Sequence, residues 1–188
     1  MTRGQMHMRA KIAATIAIGV TIAVTQAVPS FADPSDNWVA MENWKNLMVL
    51  GLQSPRDANG ANVIQWTRSV RPGTSEPTYD QQWLPSQNAE GYWSFRNAGT
   101  TDWKALTVNG NNSNNGERII SWPYKSTNHY QQWRRENNPA WPGHYRFINR
   151  GSGLCLAISG GGSNALGAQS VQWSCGTGPD QAWSLPNT

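Results

Sequence analysis

The chain has 188 residues, of which 38% are hydrophobic and 14% charged, and its formal net charge is +4. The 11 Trp, 5 Tyr and 3 Phe exclude a disordered chain, which combines few aromatic residues with high net charge. The 18 Gly and 11 Pro exclude a coiled coil, and the mixture of Gly, Asn, Ser and Trp predicts short strands joined by tight turns.

The first 32 residues have the three-part layout of a secretory signal peptide. Basic residues come first, an apolar run covers residues 12–24, and the small-residue pattern Ser30-Phe31-Ala32 follows. The apolar run is shorter than the roughly 20 residues that a bilayer requires. We therefore predict cleavage after Ala32, with Ala27 as the rival position and an uncleaved membrane anchor as the alternative. The mature chain, residues 33–188, is then secreted and has no membrane association.

The mature chain is close to neutral. The first 32 positions hold three of the 15 basic residues and none of the 11 acidic ones. A nucleic-acid-binding domain carries a basic stripe, whereas the adjacent basic pair here, Arg134-Arg135, is followed by Glu136. We therefore predict that nucleic acid is not a partner.

Three similar units of about 50 residues follow one another in the mature chain. The pattern Gln-x-Trp recurs at a spacing of 50, with its glutamine at Gln81, Gln131 and Gln181. Upstream, Gly-x-x-x-apolar-x-Trp recurs and ends at Trp66, Trp122 and Trp173. An apolar-x-apolar step precedes it at residues 47–49, 106–108 and 156–158, and alternating aromatic residues open the second and third units. Each unit therefore predicts four short strands.

The repeat number selects the fold. Fifty residues are too few for an independent core, so the three units must bury their tryptophans together. A propeller usually has at least four blades, and a solenoid carries distinct capping units, whereas these units end identically. The pattern predicts an all-β fold of twelve strands, a β-trefoil with repeats at about 38–90, 91–142 and 143–188.

These repeats resemble the ricin B-type lectin domain. The third unit is the most similar, with Gly-Leu-Cys-Leu at residues 153–156 and Gly-Pro-Asp-Gln-Ala-Trp at residues 178–183. The resemblance covers about residues 38–185. It implies a secreted bacterial lectin of one domain that binds a glycan or polysaccharide, without catalytic activity or a cofactor.

Cys155 and Cys175 are the two cysteines of the chain. An even count in a secreted protein indicates a disulfide, and the pair is placed as in the ricin B-type family. A zinc site requires about four ligands and a catalytic thiol requires an activating partner, so both alternatives are weak. The acidic residues are scattered singly, whereas a glycosidase needs two carboxylates close together. We predict no catalytic residue and no metal site.

The tryptophans divide into two predicted roles. Those of Gln-x-Trp are predicted core residues, because large aromatic side chains dominate small cores: Trp83, Trp133 and Trp183. The resemblance implies a shallow sugar pocket in each unit, with an early-strand Asp, an aromatic platform and a polar residue before the Gln. An aromatic ring stacks on the apolar face of a pyranose while polar side chains bind its hydroxyls.

Carried over to this chain, the platforms are Trp66, Trp122 and Trp173, and the residues before the Gln are Asp80, Tyr130 and Asp180. The early-strand Asp falls on Met48, Thr107 and Ala157, and none of these is acidic. Without that Asp, each site lacks a hydrogen bond to a charged group, which weakens binding. The sequence therefore decides neither which sugar is bound nor how many of the three sites bind it.

We rank the third unit first, because a disulfide would preorganise its pocket. Its predicted carbohydrate-binding residues are Trp173, Asp180, Gln181, Gln172 and Gln169. The first unit follows with Trp66, Asp80 and Gln81. The second unit, with Trp122, is predicted to be the weakest.

The missing acidic residues leave a second interpretation open, a protein-interaction module that kept the scaffold and lost sugar binding. Eleven tryptophans exceed what three core positions need. An exposed aromatic patch is typical of protein interfaces, and five tryptophans are candidates for one: Trp38, Trp44, Trp93, Trp103 and Trp141.

Overall fold

The computed structural model of this protein describes residues 37–187, so the predicted signal peptide lies outside the described residues. Its twelve strands confirm the predicted all-β fold. In chain order they are β1 (Glu42–Asn43), β2 (Val49–Leu52), β3 (Ala61–Trp66), β4 (Trp83–Gln87), β5 (Trp93–Asn97), β6 (Ala105–Val108), β7 (Ile119–Trp122), β8 (Trp133–Asn137), β9 (Tyr145–Asn149), β10 (Cys155–Ile158), β11 (Ser170–Trp173) and β12 (Trp183–Ser184).

The remaining regular elements are single turns. Three 3₁₀ turns end on the glutamine of Gln-x-Trp: Tyr79–Gln81, His129–Gln131 and Pro179–Gln181. Two further helical turns, Asn109–Asn111 and Ser159–Gly162, directly follow β6 and β10. Within residues 37–187, no helix is long and apolar enough to span a bilayer.

Six strands, two from each unit, close into a barrel. β4 pairs with β5, β8 with β9, and β12 with β1, all antiparallel. Three further register pairs join these into a ring: Trp93–Trp133, Tyr145–Trp183 and Val39–Trp83. The first and last strands of the described chain therefore complete the barrel together.

The other six strands form the hairpins β2–β3, β6–β7 and β10–β11. Their second strands meet: β3 pairs with β7, Ile64 bridges Gln169, and Arg118 bridges Val171. Every unit therefore contacts both of the others, which is the three-unit β-trefoil that the repeat pattern predicts.

The Gln-x-Trp tryptophans fill the centre of this arrangement. Trp83, Trp133 and Trp183 are fully buried. Each indole N–H donates to a leucine carbonyl of the early strand in its own unit, and the acceptors are Leu50, Leu106 and Leu156 at 2.9, 3.3 and 3.1 Å. A buried indole needs such an acceptor. The tryptophan of each unit therefore also fixes the strand that lines its pocket.

Candidate functional site

Each unit has a surface pocket beside its platform tryptophan. The pockets of the first, second and third units have volumes of about 610, 360 and 640 Å³. The platform tryptophan of its own unit lines each of them. Trp66, Trp122 and Trp173 are 41%, 41% and 49% exposed, so all three present an indole surface to a ligand.

The glutamine of Gln-x-Trp holds the chain directly after each platform. Gln81 donates to the carbonyl of Thr67 at 2.9 Å and accepts from the backbone N–H of Ser69 at 2.8 Å. Gln181 makes the same pair of bonds to Ser174 and Gly176, at 3.0 and 2.9 Å. Gln131 repeats them in the second unit. The motif therefore joins a core tryptophan to the chain that carries the exposed tryptophan.

An asparagine at the end of the first strand of each unit holds the residue before that glutamine. Asn97 donates to the carbonyl of Asp80 at 2.9 Å, and Asn43 donates to the carbonyl of Asp180 at 2.9 Å. Asn149 does the same for Tyr130 at 3.1 Å. The sequence patterns described above do not include these asparagines. The signal was present, because an asparagine ends β1, β5 and β9.

The first pocket contains a buried carboxylate oxygen. Asp80 lines the pocket, and its side chain is 14% exposed. Its Oδ1 has no hydrogen-bond partner among the described residues, and the guanidinium of Arg56 lies 3.8 Å away. An unpaired buried acceptor is costly, so a hydroxyl donor placed here would gain free energy.

The first unit has an insertion at residues 68–80, between its platform and its Gln-x-Trp motif, and this insertion also reaches the pocket. Its ends come together where Val70 bridges Pro77, and an Arg71–Glu76 ion pair closes the loop. Ser69 and Thr78, just outside that bridge, line the first pocket. The insertion therefore supplies one wall of the first pocket, as exposed loops on rigid scaffolds often do.

Asp180 takes the same place in the third pocket. Burial raises the pKa of its carboxyl above the ordinary value of 3.8, and its own backbone N–H and Lys45 partly offset that rise. Ser159, Gly160 and Gly161, which have small side chains, also line this pocket. The third pocket therefore combines a half-exposed indole with one carboxylate.

The second pocket has no carboxylate in its lining. Tyr130 replaces the acid, and its ring packs against the hydrophobic core. The polar side chains that line the pocket are instead those of Thr107, Asn109, Asn111 and Asn128. This is the smallest of the three pockets, in keeping with its predicted rank.

The strand register corrects one early-strand position. Thr107 and Ala157 lie opposite Ile120 and Val171 as expected, but the residue in the same place in the first unit is Gly51, opposite Ile64, and not Met48. The repeated step is therefore Leu50-Gly51-Leu52. The neighbouring Leu47-Met48-Val49 mimics it three residues earlier. The early-strand position is thus non-acidic in all three units.

Two predicted pocket residues lie elsewhere. Gln172 is fully buried and donates to the carbonyls of Asn112 and Asn114 at 2.9 and 3.0 Å, in the loop of the second unit. Gln169 donates to the carbonyls of Val63 and Ile119, both at 2.9 Å. Neither side chain lines the third pocket, because both amides are taken up where the units meet.

Gln65 is the counterpart of Gln172 in the first unit. It is fully buried and donates to the carbonyls of Ser163 and, at 3.0 Å, Ala165, in the loop that begins at the wall of the third pocket. Ser121 stands in the same register position in the second unit, and its hydroxyl has no hydrogen-bond partner among the described residues.

The loop of the first unit has a different support. Lys104 is buried and donates to Asp57 at 3.0 Å and to Asp102 at 2.5 Å. Hydrogen bonds from Thr101, and then from Lys104, lower the pKa of Asp57 to about 2. Asp57 directly follows Arg56, which lines the first pocket. In all three units, a side chain of a neighbouring unit therefore supports the pocket loop.

The platforms also touch the neighbouring units. A Cβ atom added to Gly116 would lie 3.2 Å from Cζ3 of Trp173, and one on Gly167 would lie 3.6 Å from Cζ3 of Trp66. Both glycines have φ near +80°, which other residues rarely adopt. These glycines of the predicted Gly-x-x-x-apolar-x-Trp pattern therefore leave room for the edge of the next indole.

The predicted disulfide is present. Cys155 and Cys175 are joined, with their Cα atoms 5.0 Å apart. Cys155 begins β10, and Cys175 lies two residues beyond Trp173, at the lining of the third pocket. The bond therefore links the early strand of the third unit to the chain that carries its platform. Within residues 37–187, there is no group of three or more acidic, His or Cys side chains that could hold a metal ion.

Comparison with known proteins agrees with this geometry. Residues 129–188 match the family model described as ricin-type beta-trefoil lectin domain-like. The search of curated proteins found no match. Among solved structures, the designed threefold-symmetric protein ThreeFoil is 26% identical with a TM-score of 0.71, and the match covers 81% of this chain and 100% of that one.

Two natural proteins share the fold at lower identity. The Macrolepiota procera ricin B-like lectin, solved with lactose, is 18% identical with a TM-score of 0.65, over 84% of this chain and 99% of the lectin. An exo-beta-1,3-galactanase from Clostridium thermocellum is 23% identical with a TM-score of 0.70, over 84% of this chain but only 31% of the enzyme. The described chain is therefore a β-trefoil, and its third unit is similar to the ricin-type beta-trefoil lectin-like family model.

Proposed function

We propose that this protein is a secreted, non-catalytic lectin that binds glycans or polysaccharide through its first and third pockets. One observation carries the proposal: both pockets place a half-exposed indole, Trp66 or Trp173, beside a carboxylate, Asp80 or Asp180. The ring suits the apolar face of a pyranose, and the carboxylate accepts from its hydroxyls. Similar β-trefoils have been solved with lactose and with GalNAc.

The third pocket is proposed as the principal site. Its disulfide joins two of its walls, and preorganisation matters for a shallow site because ordering each side chain costs about 0.5–1.5 kcal/mol. The first pocket is second, with Asp80 and Gln81. The second pocket is the weakest, because Tyr130 turns its ring to the core.

Secretion and the boundaries of the domain belong to this proposal. Residues 1–32 would direct export, and residues 33–188 would form the lectin. The Cys155–Cys175 bond supports this route, since disulfides persist in oxidising compartments outside the cell.

A glycan array, probed with the purified protein both alone and in a multivalent display, tests the proposal. Multivalent display is needed because linking weak sites raises avidity by about 10²–10⁴. Retention that Trp173→Ala reduces and free sugar releases is the expected result. Absence of retention on every glycan in both formats would contradict a lectin function.

A protein-interaction module is the second candidate. The non-acidic early-strand residues Gly51, Thr107 and Ala157 favour it. The candidate aromatic patch, however, is divided: Trp38 contacts Trp103, Trp44 contacts Trp141, and Trp93 stacks on Arg135. Affinity capture separates the two functions, because a stoichiometric protein band that free sugar does not release would favour the module.

A further inference from the structure

A group of three rings lies beside the third pocket and has no role in the pockets described above. We call Trp44, Trp141 and His144 the Trp44 cluster. The ring centroid of Trp44 lies 4.3 Å from that of His144 and 6.4 Å from that of Trp141. Trp44 is 41% exposed, as much as the platforms Trp66 and Trp122. The cluster therefore presents an indole surface comparable to those of the pockets.

The two rings behind Trp44 are already held in place. The indole N–H of Trp141 donates to the carbonyl of Thr177 at 3.0 Å, and Nδ1 of His144 lies 3.2 Å from the carbonyl of Pro142. A ligand that stacks on Trp44 would therefore meet a supported ring, which lowers the entropy cost of binding.

The cluster is connected to the lining of the third pocket. Thr177, whose carbonyl accepts the hydrogen bond from Trp141, lies in the sequence between the pocket residues Gly176 and Asp180. The ammonium of Lys45, the residue after Trp44, donates at 2.9 Å to the carbonyl of Gly161, which also lines the pocket. The Trp44 cluster is therefore connected, through Thr177 and through Lys45, to two segments that line the third pocket.

Two charged side chains, Lys45 and Asp180, approach Gly162. A Cβ atom added to Gly162 would lie 2.5 Å from Cδ of Lys45 and 2.9 Å from Cβ of Asp180. Lys45 therefore runs across Gly162 next to Asp180. Lys45, which follows Trp44, and Asp180, which lines the pocket, therefore lie beside the same glycine, and an ammonium donor with a carboxylate acceptor suits the hydroxyls of a sugar chain.

We propose that the Trp44 cluster is a second sugar-contact surface of the third site. One sugar stacks on Trp173, a later sugar of the same chain stacks on Trp44, and Lys45 and Asp180 bind hydroxyls between them. The site then takes an oligosaccharide or polysaccharide chain in preference to a single sugar. This inference rests on the proposed function of the third pocket and adds the length of its ligand.

Binding of galactose, β-1,4-galactobiose and β-1,4-galactotetraose, followed through the indole N–H signals in NMR titrations, tests this inference. We expect the wild-type protein to bind the tetraose about two- to tenfold more tightly than galactose, in line with one added aromatic contact. Trp44→Ala should remove that gain and leave the affinity for galactose unchanged. Trp44→Tyr should restore most of it. Tyr124→Ala, which removes another exposed ring, should keep it in full.

The inference would be overturned if affinity increased with chain length equally in the wild type and in Trp44→Ala. It would also be overturned if affinity did not increase with chain length in the wild type. If Trp173→Ala also abolishes galactose binding in that case, the proposed lectin function stands and only the inference fails. If the wild type binds none of the three probes, both fail for this class of sugar. A further outcome is that the wild type captures a protein that Trp44→Ala does not capture, while both bind the tetraose more tightly than galactose by the same factor. That result would assign the cluster to a protein partner and overturn the inference.

Discussion

Gln65 donates its amide to the carbonyl of Ala165, 3.0 Å away in the loop of the third pocket, although the two residues belong to different units. Gln172 serves the loop of the second pocket in the same way. The three pockets are therefore built across unit boundaries. A substitution in one unit should act on the pocket of another.

Replacing Gln65 with alanine should weaken the third site. The carbonyl of Ala165 would lose its donor, whereas that of Ser163 would keep the amide of Asn46 at 3.2 Å, and losing a hydrogen bond costs about 0.5–1.5 kcal/mol. The loop must then be ordered by the ligand, which should raise the dissociation constant about three- to tenfold. The indole signal of Trp173 in a sugar titration measures this change.

Gln172→Ala is the matched control for Gln65→Ala. It should alter the response of Trp122, in the second pocket, and leave the affinity at Trp173 near the wild-type value. The opposite outcome, with Gln172→Ala weakening the third site and Gln65→Ala sparing it, would show that the pockets are organised within single units.

The two tryptophans of the third unit should respond differently to truncation. Trp183→Ala should lower the free energy of unfolding by about 3–5 kcal/mol, because the side chain is fully buried and bonded to Leu156. Trp173→Ala should remove most glycan retention while the protein stays folded, since its ring is 49% exposed. Urea titration and retention on a glycan resin measure the two effects. If Trp122→Ala abolishes retention and Trp173→Ala does not, our ranking of the pockets is wrong.

Removal of the disulfide should destabilise the fold. Cys155 and Cys175 close a loop with a sequence separation of 20, and a loop of about that length contributes roughly 3 kcal/mol in the chain-entropy model. Cys155→Ala with Cys175→Ala should lower the midpoint of urea unfolding. The third pocket should lose more affinity than the first, because the bond lies at its lining. Equal losses at Trp66 and Trp173 would show that the disulfide stabilises the fold without organising the site.

Acidification should weaken the third site at a higher pH than an ordinary aspartate would predict. Burial raises the pKa of Asp180 above 3.8, and the protonated carboxyl loses acceptor capacity for sugar hydroxyls. As the pH is lowered, the affinity at Trp173 should therefore begin to fall before an aspartate with the ordinary pKa of 3.8 would take up its proton. Asp180→Asn should bind more weakly at neutral pH and lose this dependence. A dependence that persists in Asp180→Asn would belong to another group.

Acidification should increase the contribution of Asp180 to the free energy of unfolding, although it weakens sugar binding. Because its pKa is raised on folding, Asp180 stabilises the fold below its unfolded pKa, and that contribution is lost as the pH rises through its folded pKa. Asp180→Asn should therefore be more stable than the wild type at neutral pH, and the difference should shrink on acidification. Thermal unfolding at several pH values measures this change.

The fold could be predicted because its signals are local and repeated. Gln-x-Trp at a spacing of 50 residues and the alternation of Trp93-Ser94-Phe95 need no knowledge of distant contacts. The register of the first unit could not be predicted as well, because Leu47-Met48-Val49 and Leu50-Gly51-Leu52 both read as alternating apolar steps. Only the pairing of Gly51 with Ile64 distinguishes them.

The site was predicted less completely for a different reason. The resemblance to the ricin B-type pattern placed the exposed platforms Trp66, Trp122 and Trp173, because it needs only their positions within each repeat. Gln172 directly precedes the platform Trp173, so its sequence position predicts that its side chain lines the third pocket. Its partners Asn112 and Asn114 lie about 60 residues away, and a pattern within one unit contains no information on such a contact.

The seam between β1 and β12 has a consequence for when this protein can fold. Glu42 pairs with Ser184, 142 residues later, so the barrel cannot close until the last strand is available. Contacts between such distant residues make folding slow. A nascent chain therefore cannot close this barrel until residues 183–184 have been synthesised, which would suit the secretion proposed above.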